Sequence, residues 1–287
     1  MSSNKSSFST WEEAVLWLRS EPDQLQLVRD SYYDDPLIAA AERYHQSSEW
    51  REIAKVLYGR TGFALDVGAG RGIASYALAK DGFSVTSLEP DPSYLVGAGA
   101  IRALAEETKL PINLVEEYSE RLPFNDGEFD VIFARAVLHH MKDLDAGCAE
   151  LARVLKPGGV LLAIREHVIS RLEDLPAFLD SHPLHSLYGG ENAYLLSRYR
   201  NALESAGFLV VRQLSPLSSP INYYPQTKES LRQELVTRVG RIPGLGLLMD
   251  RALRLDTLSH LALRLVTLID NRPGRLYSFV CNKPVRD

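Results

Sequence analysis

Short apolar runs alternate with amphipathic stretches between residue 63 and about residue 165. Phe63–Val67, Phe83–Leu88, Ile112–Val115, Phe129–Ala134 and Val160–Ile164 are mostly apolar and read as buried strands. Ile73–Lys80, Pro92–Glu107 and Leu144–Leu155 carry helical spacing, with stops at Asp81-Gly82 and Pro157-Gly158-Gly159. Strands and helices alternating in this way predict a mostly parallel, doubly wound α/β sheet covered on both faces.

The flanks follow a different pattern. Thr10 is placed to cap a helix that opens Trp11-Glu12-Glu13. Leu37–Arg43 and Glu49–Leu57 are further predicted helices, separated from the first by Tyr32-Tyr33-Asp34-Asp35-Pro36. Residues 166–192 read as an irregular insertion, followed by a helix over Ala193–Ser205 and a strand over Phe208–Leu214. Residues 228–270 are helical, broken at Pro243-Gly244 and Gly246, and Arg275–Cys281 gives the last of seven strands. The expected organisation is a helical cap over residues 1–60 and a main domain over 61–287 that carries both insertions.

Composition narrows the function classes. The net charge is −5 with no dense Lys/Arg run, which argues against a nucleic-acid partner. Cys148 and Cys281 lack metal-ligand spacing and read as reduced thiols. No apolar run is long enough to span a membrane. The polar, Ser-rich Met1–Thr10 carries no signal-peptide core, so the expected location is cytoplasmic.

The strongest chemical signal is Asp66-Val67-Gly68-Ala69-Gly70-Arg71-Gly72. A strand ends in a carboxylate, glycines bend the backbone close to a ligand, and a helix starts at once with free N–H groups. Glu89 stands at the end of the second strand, where doubly wound folds place an acid on ribose hydroxyls. A dinucleotide site wants G-x-G-x-x-G, but Ile73 occupies the third glycine position. Asp66 would also repel a pyrophosphate, whereas it suits a ligand with an ammonium group. The glycine spacing therefore disfavours an NAD-dependent oxidoreductase.

These motifs, with Leu122-Pro123-Phe124, Phe129-Asp130-Val131-Ile132, Leu138-His139-His140 and Leu155-Lys156-Pro157-Gly158-Gly159, resemble those of class I S-adenosylmethionine-dependent methyltransferases. The resemblance covers residues 60–165 and implies a Rossmann-like fold with S-adenosylmethionine as cofactor. It implies that Gly68 and Gly70, with Ala69 between them, let the backbone pass the methionine part. Asp66 then meets its ammonium group, and Glu89, with Pro90 beside it, meets the ribose. The resemblance also implies that the residues just before Leu122, Tyr118 and Ser119 among them, border the adenine, and the sequence departs from it in having Tyr118 where the family often has an acid. Arg135 is expected near the methionine portion or the substrate, whereas Asp130 is read as support for the sheet edge.

Ligands in open α/β sheets lie beyond the carboxyl ends of the strands. Five of the seven histidines fall in the segments expected there: His139, His140, His167, His182 and His185. A small-molecule acceptor, sugar-containing or otherwise a natural-product intermediate, and methylated on a hydroxyl, would need a base. Histidine suits that role, with His167 ranked first and His140 second, and Glu166 beside them. His139, His182, His185, Tyr188, Glu191 and Asn192 are the expected substrate contacts, and Asn192 is also a candidate helix cap. His182, His185 and Glu166 could form a metal set, but Pro183 disfavours the turn it needs, so no metal is expected.

The C-terminal stripe Leu255, Leu258, Ala262, Leu265 and Ile269, with Arg251, Arg254 and Arg264, reads as a lid or a homodimer element rather than a membrane-surface helix. A catalytically silent binding module is the remaining alternative class, and the intact Asp66, Gly68, Gly70 and Glu89 argue against it.

Overall fold

The central strands are apolar on both faces, and both faces are covered. In the computed structural model, which describes residues 8–239, 252–253 and 255–285, eight strands form one sheet. They are β1 (Phe63–Val67), β2 (Ser84–Leu88), β3 (Ile112–Val115), β4 (Phe129–Arg135), β5 (Leu155–Ile169), β6 (Tyr194–Leu195), β7 (Leu209–Leu214) and β8 (Arg275–Asn282). Their order is β3-β2-β1-β4-β5-β8-β7, with the two-residue β6 paired to the end of β5. The first five are parallel neighbours, and β8 runs antiparallel to β5 and β7. The doubly wound, mostly parallel sheet is as expected, with β6 added to the predicted seven strands.

Side-chain alternation along each strand divides the core into two layers. Leu65, Val67, Ile132, Leu161 and Phe279 pack with Leu151 of α7 (Leu144–Val154) and Tyr199 of α9 (Leu196–Ser205). Ala64, Val131, Phe133, Leu162 and Ile164 face the other way. There they meet Leu78 of α5 (Ile73–Lys80), Tyr44 of α3 (Leu37–His45) and Trp50 of α4 (Ser48–Leu57). The N-terminal helices therefore cover one face of the sheet. Their lead helix α1 (Trp11–Ser20) opens with a capping box between Thr10 and Glu13.

Several predicted boundaries move. The helix expected from Pro92 starts at Ala98. Residues 91–97 instead close on themselves, with the N–H of Ala98 donating to Asp91 O at 2.7 Å and that of Gly99 to Ser93 O at 3.0 Å. A Cβ on Gly97 would collide with Asp91 O, so this close approach requires glycine. The fifth strand begins five residues earlier and ends five later than predicted, 155–169 against 160–164, because β4, β8 and β6 supply ladder partners along its length. Glu166 and His167 consequently lie in a strand rather than in a loop.

The helix predicted over Ala193–Ser205 starts at Leu196, after β6, and Asn192 does not cap it. In the helix Asp256–Ile269 the predicted stripe faces outward: Leu255, Leu258, Leu265 and Ile269 are exposed. The buried contact comes from Leu263, packed with Tyr223 and Leu231. The expectations for Met1–Ser7, Pro243-Gly244, Gly246, Arg251 and Arg254 lie outside the described residues. Among the described residues, no helix is long and apolar enough to cross a membrane.

Candidate active site

Between β1 and α5 the backbone passes through three left-handed glycines, Gly68 (φ 60°), Gly70 (φ 54°) and Gly72 (φ 80°). A Cβ on Gly68 would lie 2.9 Å from Val137 Cγ2, so only glycine lets β1 and the segment after β4 approach this closely. Glu89 braces the bend from the next strand. Its Oε2 accepts the N–H of Gly70 at 2.6 Å and its Oε1 that of Asp91 at 3.0 Å. Burial raises the Glu89 pKa, and those two N–H groups hold part of the rise back.

Asp66, at the tip of β1, is buried and accepts a hydrogen bond from Ser75 Oγ at 2.6 Å. Burial lifts its pKa to about 7 against the lowering effect of Ser75, and the nearby Glu89 adds to the rise. A buried acid that loses its proton this reluctantly gains from a cationic partner.

These acids open onto a cavity of about 950 Å³ at the carboxyl ends of the strands. That volume takes a nucleoside amino acid together with a small second molecule. Asp66, Gly68, Ala69, Gly70, Glu89, Pro90, Tyr118, Ser119 and Arg135, the residues expected at a cofactor, all lie on its wall. Tyr118 is 68% exposed and stands at the rim. Trp11 and Tyr33 close the cavity from the N-terminal side, with Trp11 Nε1 donating to Tyr33 Oη at 3.1 Å. Arg71, inside the glycine motif, fastens this cover. It donates to Tyr32 O at 2.8 Å, Asp34 O at 2.9 Å and Asp35 Oδ1 at 2.5 Å.

Arg135 is on the wall, but its guanidinium is committed elsewhere. It donates to both carboxylate oxygens of Glu49, from Nε at 2.7 Å and Nη2 at 3.2 Å. Arg165 Nη1 approaches the same carboxylate at 3.5 Å. Glu49 lies on α4 and is fully buried. Sequence reasoning missed it, since a lone Glu in a helix carries no sign of a distant arginine pair.

The opposite end of the cavity is built by β5 and the loops around it. The ladder between β5 and β8 shifts register between Ala163 and Glu166, where Arg165 takes φ 61°. This bulge re-aims the residues that follow. Glu166 turns inward, fully buried, and its carboxylate accepts four hydrogen bonds. Three come from the N–H groups of Val137, Leu138 and His139 at 3.1 Å each, and one from His139 Nδ1 at 2.7 Å. Glu166 is not on the cavity wall and leaves the catalytic set; it fixes the loop after β4.

His139, His140, His167, His182, Tyr188 and Glu191 do reach the wall, whereas His185 and Asn192 do not. The metal set weighed from sequence, His182, His185 and Glu166, is therefore not assembled at the cavity. His167 Nδ1 donates to Gly274 O at 3.1 Å, so its lone pair is on Nε2. Burial, and then the neighbouring His139 charge, depress its pKa to about 4. His140 Nδ1 donates to Gly190 O at 2.9 Å, and its side chain is 43% exposed. Burial and His139 also lower the His140 pKa.

Burial opposes a charge on His139, but the Glu166 and Glu191 carboxylates outweigh it and raise its pKa to about 9. Glu191 is brought to the cluster by the left-handed pair Gly189 (φ 90°) and Gly190 (φ 82°). Burial raises its pKa, but His139, His140 and His182 prevail and hold it near 2.

Strand order, glycine bend and two acids at adjacent strand tips define a nucleoside-binding α/β domain of the methyltransferase class. Comparison with known proteins agrees. Residues 65–163 match the family model described as a methyltransferase domain. The chain is 33% identical over 138 residues to 2-methyl-6-phytyl-1,4-hydroquinone methyltransferase of Synechocystis sp., covering 46% of this chain and 42% of that protein. It is 36% identical over 98 residues to ubiquinone biosynthesis O-methyltransferase of Paramagnetospirillum magneticum, covering 34% and 38%. The chain thus spans about two fifths of the length of these curated relatives.

Geranyl diphosphate C-methyltransferase from Streptomyces coelicolor, solved with S-adenosyl-L-homocysteine, shares the fold at TM-score 0.58 and 15% identity, over 88% of this chain and 84% of that one. Residues 65–163 of this chain thus form a methyltransferase domain, on a fold shared with a methyltransferase solved with S-adenosyl-L-homocysteine.

Proposed function

We propose that the protein methylates a hydroxyl oxygen of a small polar molecule, the acceptor lying at the histidine-rich end of the cavity. The observation that carries this reading is a single cavity with the Asp66–Glu89 bend at one end and His139, His140, His167 and Glu191 at the other. The similarity to a ubiquinone-biosynthesis O-methyltransferase supports an oxygen as the methylated atom, and that to a hydroquinone methyltransferase supports a small-molecule acceptor.

S-adenosylmethionine supplies an activated methyl group on a sulfonium. The protein's part is alignment, worth ~7–11 kcal/mol when two reactants are held in register. Asp66 pairs with the ammonium group, Glu89 accepts from the ribose hydroxyls, and Gly68 and Gly70 let the backbone pass the methionine part. Tyr118 and Ser119 border the adenine.

Proton removal from the acceptor falls to His140 in preference to His167. The Nε2 lone pair of His140 is free and its ring reaches solvent, which can carry the proton away. His167 is neutral but too weakly basic, with its pKa near 4.

Incubation with labelled S-adenosylmethionine and a panel of small hydroxylated metabolites, followed by mass spectrometry of the product, tests the reading. An O-methylated product is expected. Transfer to carbon or nitrogen alone, or no S-adenosylhomocysteine binding at all, would overturn it.

A further inference from the structure

At the acceptor end of the cavity, three groups turn uncommitted atoms toward one another. His139 Nδ1 is held by Glu166 at 2.7 Å and His167 Nδ1 by Gly274 O at 3.1 Å. A carbonyl oxygen can only accept, so His167 keeps its lone pair on Nε2, and the Glu166 carboxylate selects the same tautomer for neutral His139. Glu191 Oε2 lies 3.5 Å from His139 Nε2. It is buried and makes no hydrogen bond. The ligand atoms of His139, His167 and Glu191 all lie within 4.8 Å of one another.

Each feature has a physical reason in a metal site. An imidazole that ligates through one nitrogen donates its other N–H to a carboxylate or carbonyl, which fixes tautomer and ring orientation. Glu166 and Gly274 supply those two acceptors. Ligand atoms at ~2.0–2.2 Å from a shared ion stand roughly 3–3.5 Å apart, so His139 and Glu191 are already at coordination spacing. Glu191 follows a two-glycine turn whose Cα positions face open space, leaving room for the remaining closure.

We propose that His139, His167 and Glu191 bind a divalent transition-metal ion whose open positions face the cavity and take the acceptor's hydroxyl oxygen. Two imidazoles and one carboxylate suit Zn²⁺ or Co²⁺ better than Mg²⁺ or Ca²⁺, which prefer all-oxygen sets.

The role of the ion in catalysis rests on the hydroxyl acceptor proposed above; the site itself does not. An oxygen bound to such an ion loses its proton more readily. That proton passes to His140, whose Nε2 lies 4.0 Å from Glu191 Oε2 and outside the ligand set. The oxygen then forms its bond to the methyl carbon as the carbon–sulfur bond breaks. The sulfur keeps that electron pair as a thioether, and the ion is unchanged.

The test is calorimetric titration of the metal-stripped full chain with Zn²⁺ and, separately, Mg²⁺, with the visible spectrum of the Co²⁺-loaded protein as a second readout. One equivalent of Zn²⁺ should bind, Mg²⁺ should bind far more weakly, and Co²⁺ should give ligand-field bands. Glu191→Gln and His167→Gln should each lower Zn²⁺ affinity by more than the ~10–100-fold cost of losing a supporting outer group. Both variants should keep S-adenosylhomocysteine binding, which certifies the fold.

Wild-type protein that binds S-adenosylhomocysteine but no Zn²⁺, or variants that both bind Zn²⁺ as tightly as the wild type, would overturn the site. O-methylation that persists without bound ion refutes the ion's role in catalysis and leaves the binding site to the titration. Zn²⁺ binding without O-methylation refutes the acceptor reading and leaves the site standing.

Discussion

Glu166 and His139 form a buried pair in which the carboxylate holds both the imidazole, at 2.7 Å, and the backbone N–H of the same histidine, at 3.1 Å. With the N–H groups of Val137 and Leu138 added, one carboxylate ties β5 to the loop after β4. Glu166→Gln replaces an acceptor-only group with one that offers two donors of its own among four donors. Breaking one side of a buried charge pair costs about 3–5 kcal/mol. Chemical denaturation should show a loss of that order, with a lower Tm. An unchanged midpoint would mean that the loop is held by other contacts.

The same pair sets a pH dependence in the metal-free protein. The His139 pKa is raised from 6.5 to about 9, facing Glu166 and Glu191 with His140 and His167 alongside. The folded state binds the proton more tightly, so this contribution is complete below pH 6.5 and is lost as pH rises to about 9. Glu191, held near 2 against its usual 4.5, behaves oppositely: its contribution is present above pH 4.5 and is lost as pH falls toward 2. Urea midpoints measured across pH should therefore decline on the alkaline side in the wild type. In His139→Gln that decline should be largely gone. Parallel curves for the two proteins would contradict the assignment.

Cofactor binding should carry its own signature from Asp66. An acid titrating near pH 7 must shed its proton to pair with an ammonium group. The affinity for S-adenosylhomocysteine is expected to rise about tenfold per pH unit below 7 and to level off above it, as one-proton linkage requires. Asp66→Asn should bind more weakly and flatten the profile. Glu89→Ala removes the acceptor of the Gly70 N–H and should also weaken binding, without the same pH slope. A wild-type profile flat between pH 6 and pH 8 would place the ammonium group elsewhere.

What could be read from sequence follows how local each signal is. The strand tip at Asp66, the bend at Gly68–Gly72 and the acid at Glu89 lie within one βαβ unit, and the fold places them as expected. The histidines were legible as a cluster because they share the segments after β4 and β5. Their roles were not, since those depend on the bulge at Arg165 and on carbonyls such as Gly274 O, far along the chain. Glu166 looked like chemistry because a polar triplet followed a strand predicted to end at Ile164. The strand continues, and the bulge turns that side chain into the interior. Pro92–Gly97 carried a helical pattern that Gly97, pressed against Asp91 O, overrides.

Glu49 carries little sequence signal and a heavy electrostatic task, because its single carboxylate faces Arg135 at 2.7 Å and Arg165 at 3.5 Å. Arg165 has other acceptors, donating to Ile221 O at 3.1 Å and Tyr224 O at 3.0 Å. Its pKa is nonetheless lowered, chiefly by burial. Arg135 depends on Glu49 more completely: the carboxylate and the rings of Tyr32 and Tyr44, 5.8 Å and 5.5 Å from the guanidinium carbon, offset its burial.

Glu49→Gln should thus leave two half-buried cations without the buried carboxylate between them and destabilise the fold by about 3–5 kcal/mol. Adding Arg165→Met removes one cation and its repulsion. The double variant should therefore be more stable than the sum of the two single losses predicts, a coupling of about 0.5–3 kcal/mol in a double-mutant cycle. Strict additivity of the two losses would show that Glu49 and Arg165 do not sense each other, and that Arg135 alone justifies the buried acid.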